Sequence, residues 1–370
     1  MKSIIFLSSY KLTTYGGTEV WIYKMANFLA EKGYDVTVIS SNRILDKERI
    51  KLIDILKDKK FDYIISNREF FNISALKELL ESERDIPLYT SDNFALKLSI
   101  YFDLIRFHRI IFGSHAISTK PEFKVVRYKY ILTKYLLKEF NRREKLYFHV
   151  LNSAQKLMYE KLGMKNVYLL PNFIETKYYP FPKENNEFIV LFLARFSLHK
   201  GIDILPKIIN NVLSKNKEIK FVIVGSGEKY YENIIKELEN KYPSNIKYLG
   251  FISEEEKRRI ISKASIYLLP SRYETGVPTL AIGEAIVSGL PFIGSNIIAF
   301  RDLLKYDKKF GYIVKDYDPK AFANKILEIY DFWKNNSKEY FESRKYISKR
   351  ARELFDIEKI GNQFIQTFLK

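Results

Sequence analysis

Short apolar runs alternate with amphipathic stretches along most of the chain, which reads as strand and helix in turn. Residues 3–8 read as a buried strand, with the apolar run Ile4-Ile5-Phe6-Leu7 between two serines. Residues 20–32 repeat their apolar positions at helical spacing and stop at Gly33, and 35–40 is a strand again. A helix at 47–58, a strand at 62–66, a helix at 74–81 and a strand at 87–90 follow, then strands at 147–152 and 167–170. This order predicts an α/β fold with a parallel, doubly wound sheet.

Pro171-Asn172, Pro180, Pro182 and the polar run 183–187 have the composition of a hinge. A second alternation comes after it, with strands at 188–194, 219–224, 246–249, 266–269 and 291–294. Helices lie near 201–215, 228–241, 254–264 and 278–288, with Pro278 suited to a first turn and Gly289 to the position just past a helix end. The tail from about 338 to 370 is helical and highly charged. The reading is therefore a first domain at 1–176, a second at 177–345 and a return helix at 346–370. One stretch departs from the pattern. Residues 97–147 carry twelve Lys/Arg against four Asp/Glu, interleaved with Tyr, Phe, Leu and Ile, and 123–140 has the look of a basic amphipathic helix. It reads as a basic helical insertion.

Composition narrows the function classes. With 370 residues, 46% of them hydrophobic and 15% aromatic, the chain can fill two cores. It has no cysteine, which excludes disulfides and thiolate chemistry. His108, His115, His149 and His199 lack metal-ligand spacing, so no metal site is expected. The N-terminal apolar run is too short for a signal peptide, and no segment reaches about 18 uninterrupted apolar residues. A cytoplasmic location, or attachment to the inner membrane face, is the expectation. The net charge of +18 favours polyanions: nucleic acid, anionic lipid or phosphorylated substrates. The Lys-, Glu-, Tyr- and Ile-rich composition also suits a thermophile.

Four segments carry candidate chemistry, all at expected strand ends, where parallel sheets bind ligands. Gly16-Gly17, after the first strand and before a helix, lets backbone N–H groups approach an anion, or is simply a flexible turn. Arg195 and Lys200, in Ala194-Arg195-Phe196-Ser197-Leu198-His199-Lys200-Gly201, present two cations suited to a diphosphate, or are solvated surface charges. Gly225-Ser226-Gly227 allows a planar group or phosphate against the backbone, or is only a tight turn. In the fourth, Pro270-Ser271-Arg272-Tyr273-Glu274-Thr275-Gly276-Val277-Pro278-Thr279, Glu274 enters a helix whose start would offer the N–H groups of Gly276 and Val277. Glu284, inside the apolar helix that follows, needs a partner: the two hydroxyls of a ribose, or a Lys or Arg in a buried salt bridge.

Together these segments resemble glycosyltransferase family 4, whose GT-B fold sets two Rossmann-like domains facing each other. Gly16-Gly17 is similar to that family's glycine loop, and Pro171-Asn172-Phe173-Ile174-Glu175 to its P-N-G-[VI]-D hinge, with Phe173 for Gly and Glu175 for Asp. Arg195 to Lys200-Gly201 resembles its G-R-x-x-x-x-K-G signature. Gly225-Ser226-Gly227 resembles its G-x-G turn, and Glu274 with Glu284 its paired-glutamate motif. The resemblance implies a retaining, metal-independent transferase without cofactor. Its donor would be a nucleotide diphosphate sugar and its acceptor a glycan or a lipid-linked molecule. Arg195 and Lys200 would neutralise the diphosphate, Glu284 would hold the ribose, and Glu274, Thr275, Gly276 and Val277 would contact the donor sugar and phosphates. Gly16 and Gly17 would close over the phosphate, and the tail would cross back to the first domain.

Two departures stand out. Nine residues separate Glu274 from Glu284 where the family has seven, so the extra pair belongs in the loop at 275–279 and not in the helix. After the strand at 87–90, Thr90-Ser91-Asp92-Asn93 stands where many members carry a histidine, which makes Asp92 the candidate polar contact near the reacting carbon. The alternatives are a basic nucleic-acid-binding protein, which does not account for charges recurring at strand ends, and a phosphorylase or nucleotide-sugar epimerase of the same fold. A dehydrogenase is disfavoured because G-x-G-x-x-G is missing. The 97–147 stretch reads either as a dock for an anionic membrane or as an insertion with a solvated face.

Overall fold

The protein is described as a computed structural model covering residues 2–8, 12, 16–40, 59–60, 62–65, 78, 80–81, 85–91, 108–115 and 145–370. It divides into two compact units: Met1–Pro171 together with Ile360–Lys370, and Asn172–Lys359. The units change at 171/172, five residues before the boundary read from sequence, and the tail joins the first unit only from Ile360.

The first unit holds seven parallel strands: β1 (Ser3–Ser8), β2 (Asp35–Ser40), β3 (Asp62–Ile65), β4 (Leu88–Thr90), β5 (Ile110–Gly113), β6 (Leu146–Val150) and β7 (Val167–Leu169). Their order is β3-β2-β1-β4-β5-β6-β7, with Ile4 opposite Val36 and Ile5 opposite Leu88. β5 corrects the sequence reading, because residues 97–147 are not wholly an insertion. Ile110-Ile111-Phe112-Gly113 pairs with β4 on one side and β6 on the other. Helix α1 (Gly17–Glu31) buries Trp21, Ile22, Met25, Phe28 and Leu29, and α2 (Ser153–Lys161) starts where Asn152 accepts the Gln155 N–H at 2.9 Å. The expected helices at 47–58 and 123–140, and most of 74–81, lie outside the described residues.

One buried polar network crosses this sheet. The Tyr89 hydroxyl lies 2.8 Å from His115 Nε2 and 2.9 Å from His149 Nδ1, and His149 Nε2 lies 3.0 Å from the Leu170 carbonyl. A carbonyl only accepts, so His149 carries its proton on Nε2 and accepts the Tyr89 hydroxyl at Nδ1; His115 then donates from Nε2 to Tyr89. Burial favours the neutral rings: His149 is lowered to about 4 by desolvation, against the raising effect of its bond to Leu170. His115 is lowered by desolvation and then by His149. Trp21 stacks on Tyr89 at 5.1 Å between ring centres, and Phe364 from the chain end packs edge-on to Trp21 at 5.8 Å.

The second unit has six parallel strands: β8 (Ile189–Leu193), β9 (Lys220–Val224), β10 (Ile246–Tyr248), β11 (Ile266–Leu269), β12 (Phe292–Ser295) and β13 (Gly311–Val314), in the order β10-β9-β8-β11-β12-β13. Helices α3 (Leu205–Leu213), α4 (Lys229–Lys241), α5 (Glu254–Lys263), α6 (Leu280–Val287), α7 (Ile298–Tyr306), α8 (Pro319–Asn335) and α9 (Ser337–Phe355) surround it, and α10 (Ile357–Phe364) leads out. The central strands β8 and β11 are apolar throughout because both faces are covered, whereas β10, at the sheet edge, exposes Lys247. Phe192, Ile208, Ile223, Leu268 and Phe322 belong to one core cluster, and Leu191, Tyr267, Ile286, Phe300 and Phe355 to another. The strand order reverses between β8 and β11, so the segments after these two strands flank the switch point where ligands of open α/β sheets bind.

Candidate functional site

Lys200 and Glu274 meet at that switch point. Lys200 ends a short 3-10 turn after β8, Glu274 lies in the segment after β11, and Lys200 Nζ sits 2.5 Å from Glu274 Oε1. The Ser271 hydroxyl donates to the same carboxylate oxygen at 2.7 Å. The ammonium is one-fifth exposed and the carboxylate nearly buried, so the pair keeps an open side on the cation. A diphosphate reaching Lys200 from that side would compete with Glu274 for it.

The local backbone fixes this meeting. Gly201, just past Lys200, has φ +77°, and a Cβ there would overlap the Pro270 carbonyl. Arg272 then clamps the two segments together. Its guanidinium makes two parallel hydrogen bonds of 2.7 Å to Asp203, also donates to the Leu198 carbonyl, and stacks over the Tyr317 ring at 4.6 Å. The Arg272 N–H reaches the His199 carbonyl at 2.8 Å. Burial pushes the Asp203 carboxyl up, but hydrogen bonds and charge from Arg272 outweigh it and hold Asp203 below the usual range. Arg272 stood inside a motif read from sequence, yet its role and those of Asp203 and Tyr317 were not legible there.

Arg195 is exposed two residues past β8, in the segment that leads to Lys200's turn, and forms no hydrogen bond or ion pair with a described residue. Gly225 has φ +135°, and a Cβ there would overlap the Ala194 carbonyl. The glycine turn after β9 is thus required by two backbones passing closely, with Phe196 N–H donating to the Ser226 carbonyl at 2.9 Å.

Helix α6 begins later than expected. Thr279 caps it by accepting the Ile282 N–H at 3.3 Å, and the first helical residue is Leu280. Pro278 therefore precedes the helix, and the first-turn N–H groups belong to residues from Leu280 onward, not to Gly276 and Val277. Residues 275–279 are non-helical, and Glu284 is the fifth residue of α6. Val277 is buried, and its carbonyl accepts the Asn172 N–H at 2.9 Å. Gly276 is needed because a Cβ would come within 2.5 Å of Asn172 Nδ2, which donates to the Pro278 carbonyl at 2.9 Å. The side chain of Asn172 thus supports this loop from beneath.

Glu284 lies inside α6 and is buried. Of the two partners open to it from sequence, the structure supplies the salt bridge: Lys257 Nζ of α5 lies 3.0 Å from Glu284 Oε1 and 2.8 Å from Glu254. Burial, and then the negative charge of Glu284, raise the Tyr179 phenol far above its ordinary value. The missed signal was Lys257 itself, which shares a helical stripe with Ile260, Ile261 and Ala264, all of them buried.

In the first unit, Gly16 is the N-cap of α1 and Gly17 its first residue. A Cβ on Gly16 would overlap the Glu19 carboxylate, so Glu19 folds back over the helix start. An anion at this helix start would share it with that carboxylate. Asp92 lies outside the described residues. Among the described residues no group of three or more His, Cys, Asp or Glu could hold a metal ion, and no helix is long and apolar enough to cross a membrane.

Comparison with known proteins places this geometry. The glycosyl transferases group 1 family matches residues 174–354, just under half of the chain and within the second unit. A glycogen synthase of Thermodesulfovibrio yellowstonii is 33% identical over 188 residues, covering 45% of this chain and 36% of that protein. Spore coat protein SA of Bacillus subtilis is 23% identical over 189 residues, covering 49% and 48%. The matched stretch thus spans less than half the length of these relatives. Among solved structures, Anabaena HepE in complex with UDP superposes with a TM-score of 0.77 at 15% identity, covering 99% of each chain. Sucrose-phosphate synthase from Thermosynechococcus elongatus gives 0.71 at 19% identity, covering 99% of this chain and 98% of that one. The chain has the GT-B fold of glycosyltransferases, and Lys200, Glu274 and Glu284 all fall within the stretch that matches the group 1 family.

Proposed function

We propose that the protein is a glycosyltransferase that moves a sugar from a nucleotide diphosphate donor to a hydroxyl of a glycan or lipid-linked acceptor, with retention of configuration. The observation that carries this reading is the pairing of Lys200 with Glu274 at the switch point between β8 and β11, inside the segment similar to group 1 glycosyl transferases.

Breaking the sugar–phosphate bond leaves negative charge on the departing diphosphate. Arg195, unpaired and exposed, and Lys200, drawn from Glu274, would receive that charge, and the N-terminus of α6 would add its dipole. Donors fixed in advance at a developing charge are worth about 10²–10³ each in rate. Glu274, released from Lys200, would turn its oxygens to the sugar hydroxyls. The acceptor hydroxyl would attack on the face that the diphosphate leaves, passing its proton to a phosphate oxygen. Glu284 would accept the ribose hydroxyls. The solved neighbours bind UDP and UDP-glucose, which makes uridine diphosphate sugars the first donors to try.

The test is product formation from UDP-, GDP-, ADP- and TDP-sugars, with and without EDTA. Turnover that survives EDTA supports a transferase in which Arg195 and Lys200 do the work of a metal. Turnover abolished by EDTA and restored by a divalent ion overturns that part. Release of sugar 1-phosphate when phosphate is the acceptor points to a phosphorylase instead.

A further inference from the structure

The short turn after β8 carries a further titratable group beside Lys200. His199 is exposed, and its Nδ1 lies 3.1 Å from the Ser197 hydroxyl. Its Nε2 makes no hydrogen bond with a described residue. The backbone of His199 is fixed from the segment after β11, because its carbonyl accepts the Arg272 N–H at 2.8 Å. The ring therefore stands on a turn pinned to that segment, next to the ammonium that pairs with Glu274.

The charges around the ring come from two connections. In its own, after β8, Lys200 follows it directly and Arg195 lies four residues before it. From the segment after β11, Glu274 acts on it, while the Arg272 guanidinium is taken up by Asp203. Desolvation lowers the proton affinity of the imidazole most and the Lys200 ammonium next; Glu274 raises it, and Arg195 lowers it again. The net direction is down, so the ring is uncharged at neutral pH. Two of these causes are cations that a donor's diphosphate would neutralise. The Ser197 hydroxyl serves either form of the ring, since it donates to a bare Nδ1 and accepts from a protonated one.

We propose that His199 is the third cation of the diphosphate site, one that appears only with the donor bound: the diphosphate settles on Arg195 and Lys200, and the imidazole beside them takes up a proton from solvent. The inference rests on the nucleotide-sugar reading given above. Free, the site avoids the repulsion of three adjacent cations; occupied, it gains a third positive charge against the diphosphate. Binding raises the proton affinity of His199, so by linkage donor affinity rises as pH falls through the bound-state value and levels off below the free-state value.

The experiment is titration calorimetry of the full chain with UDP-glucose between about pH 5.5 and 8, in pairs of buffers with different heats of ionisation, so that protons taken up on binding are counted directly. The diphosphate of a nucleotide sugar is esterified at both ends and has no proton to gain in this range, unlike that of free UDP. GDP-mannose and ADP-glucose serve as base controls. The wild type should take up almost no proton near pH 8 and a fraction of one near pH 6, and bind about tenfold more tightly at the lower pH, which corresponds to raising His199 by about one pH unit. His199→Gln, whose amide can still meet Ser197, should lose both the uptake and the pH dependence and keep the weaker affinity. His199→Arg, charged at every pH, should bind near pH 8 about as tightly as the wild type does near pH 6, with a flat profile. A gain of affinity cannot come from a damaged turn, so this variant separates charge from structure. Wild-type binding of equal strength at both pH values and without proton uptake overturns the inference while the nucleotide-sugar reading stands. So does uptake that persists in His199→Gln, which puts the titrating group elsewhere. Failure of the wild type to bind any of the three nucleotide sugars overturns both.

Discussion

The Arg272–Asp203 clamp allows the link between loop geometry and activity to be measured. Replacing Asp203 with Asn removes the charge from two parallel hydrogen bonds of 2.7 Å while keeping the side chain's shape. Both groups are partly exposed, so solvent screening limits this loss to about 1 kcal/mol. Replacing Arg272 with Met removes more: the bond to the Leu198 carbonyl and the stack on Tyr317 go as well. That adds about 1–2 kcal/mol, for a total of about 2–3. The chain has two tryptophans, Trp21 in the first unit and Trp333 in the second, so a Trp21→Phe background leaves Trp333 fluorescence to report unfolding of the second unit in urea. A double-mutant cycle should give a coupling of about 1 kcal/mol, falling as salt rises from 0.05 to 0.5 M. Both variants should also lose about ten- to a hundredfold in kcat/KM, because the turn carrying Lys200 is no longer held against the segment carrying Glu274. Equal losses for the two substitutions, with a coupling below about 0.3 kcal/mol, would show that the clamp is an ornament of the surface and that the reasoning about loop positioning is wrong.

Three further outcomes follow from the same structure. Gly201→Ala should destabilise the second unit by clearly more than Gly250→Ala: both have positive φ, worth about 1 kcal/mol for alanine, but Gly250 faces open space whereas Gly201 abuts the Pro270 carbonyl; equal losses in urea would refute the close approach. Stability of the first unit should fall as pH drops from about 6.5 towards 4, because the unfolded chain protonates His149 through that window while the folded state, with its value lowered to about 4, does not. The contribution is about 3 kcal/mol at most, and a His149→Gln variant whose stability keeps the full slope would contradict it. Gly276→Ala should lower donor affinity, because the added methyl meets Asn172 Nδ2 beneath the 275–279 loop, and Asn172→Ala should partly relieve the loss in the double variant; strictly additive losses in titration calorimetry would argue against that contact.

Much of the fold could be read from sequence because parallel strands buried on both faces leave unbroken apolar runs. β8, β9 and β11 all lie within the runs expected of them. β5 was missed because its three apolar residues, Ile110, Ile111 and Phe112, lie among basic and aromatic neighbours from Arg106 to His115, which drew attention to charge. β13 was missed because Gly311-Tyr312-Ile313-Val314 is short and follows lysines. The start of α6 was misplaced because Pro278 suits a first helical turn, whereas Thr279, which can accept a backbone N–H, is the residue that caps it. Arg195, Lys200, Glu274 and Glu284 stood out as charges at strand ends or in apolar surroundings. Their partners did not, because Lys257 lies 27 residues from Glu284, and pairing across that distance is set by how two helices pack. A lysine in the apolar stripe of α5 and a glutamate in apolar α6 are each costly alone, and that mismatch of opposite signs is the trace the pair leaves in sequence.

The most direct test of the central claim is thermal shift and donor hydrolysis with a panel of nucleotide sugars in EDTA, on wild type and Lys200→Ala. Stabilisation by one donor with release of its nucleoside diphosphate, both lost in Lys200→Ala while the fold is kept, is the expected result. No response of the wild type to any donor, with tight and salt-sensitive binding of nucleic acid instead, would contradict the assignment of the switch-point site to a sugar diphosphate.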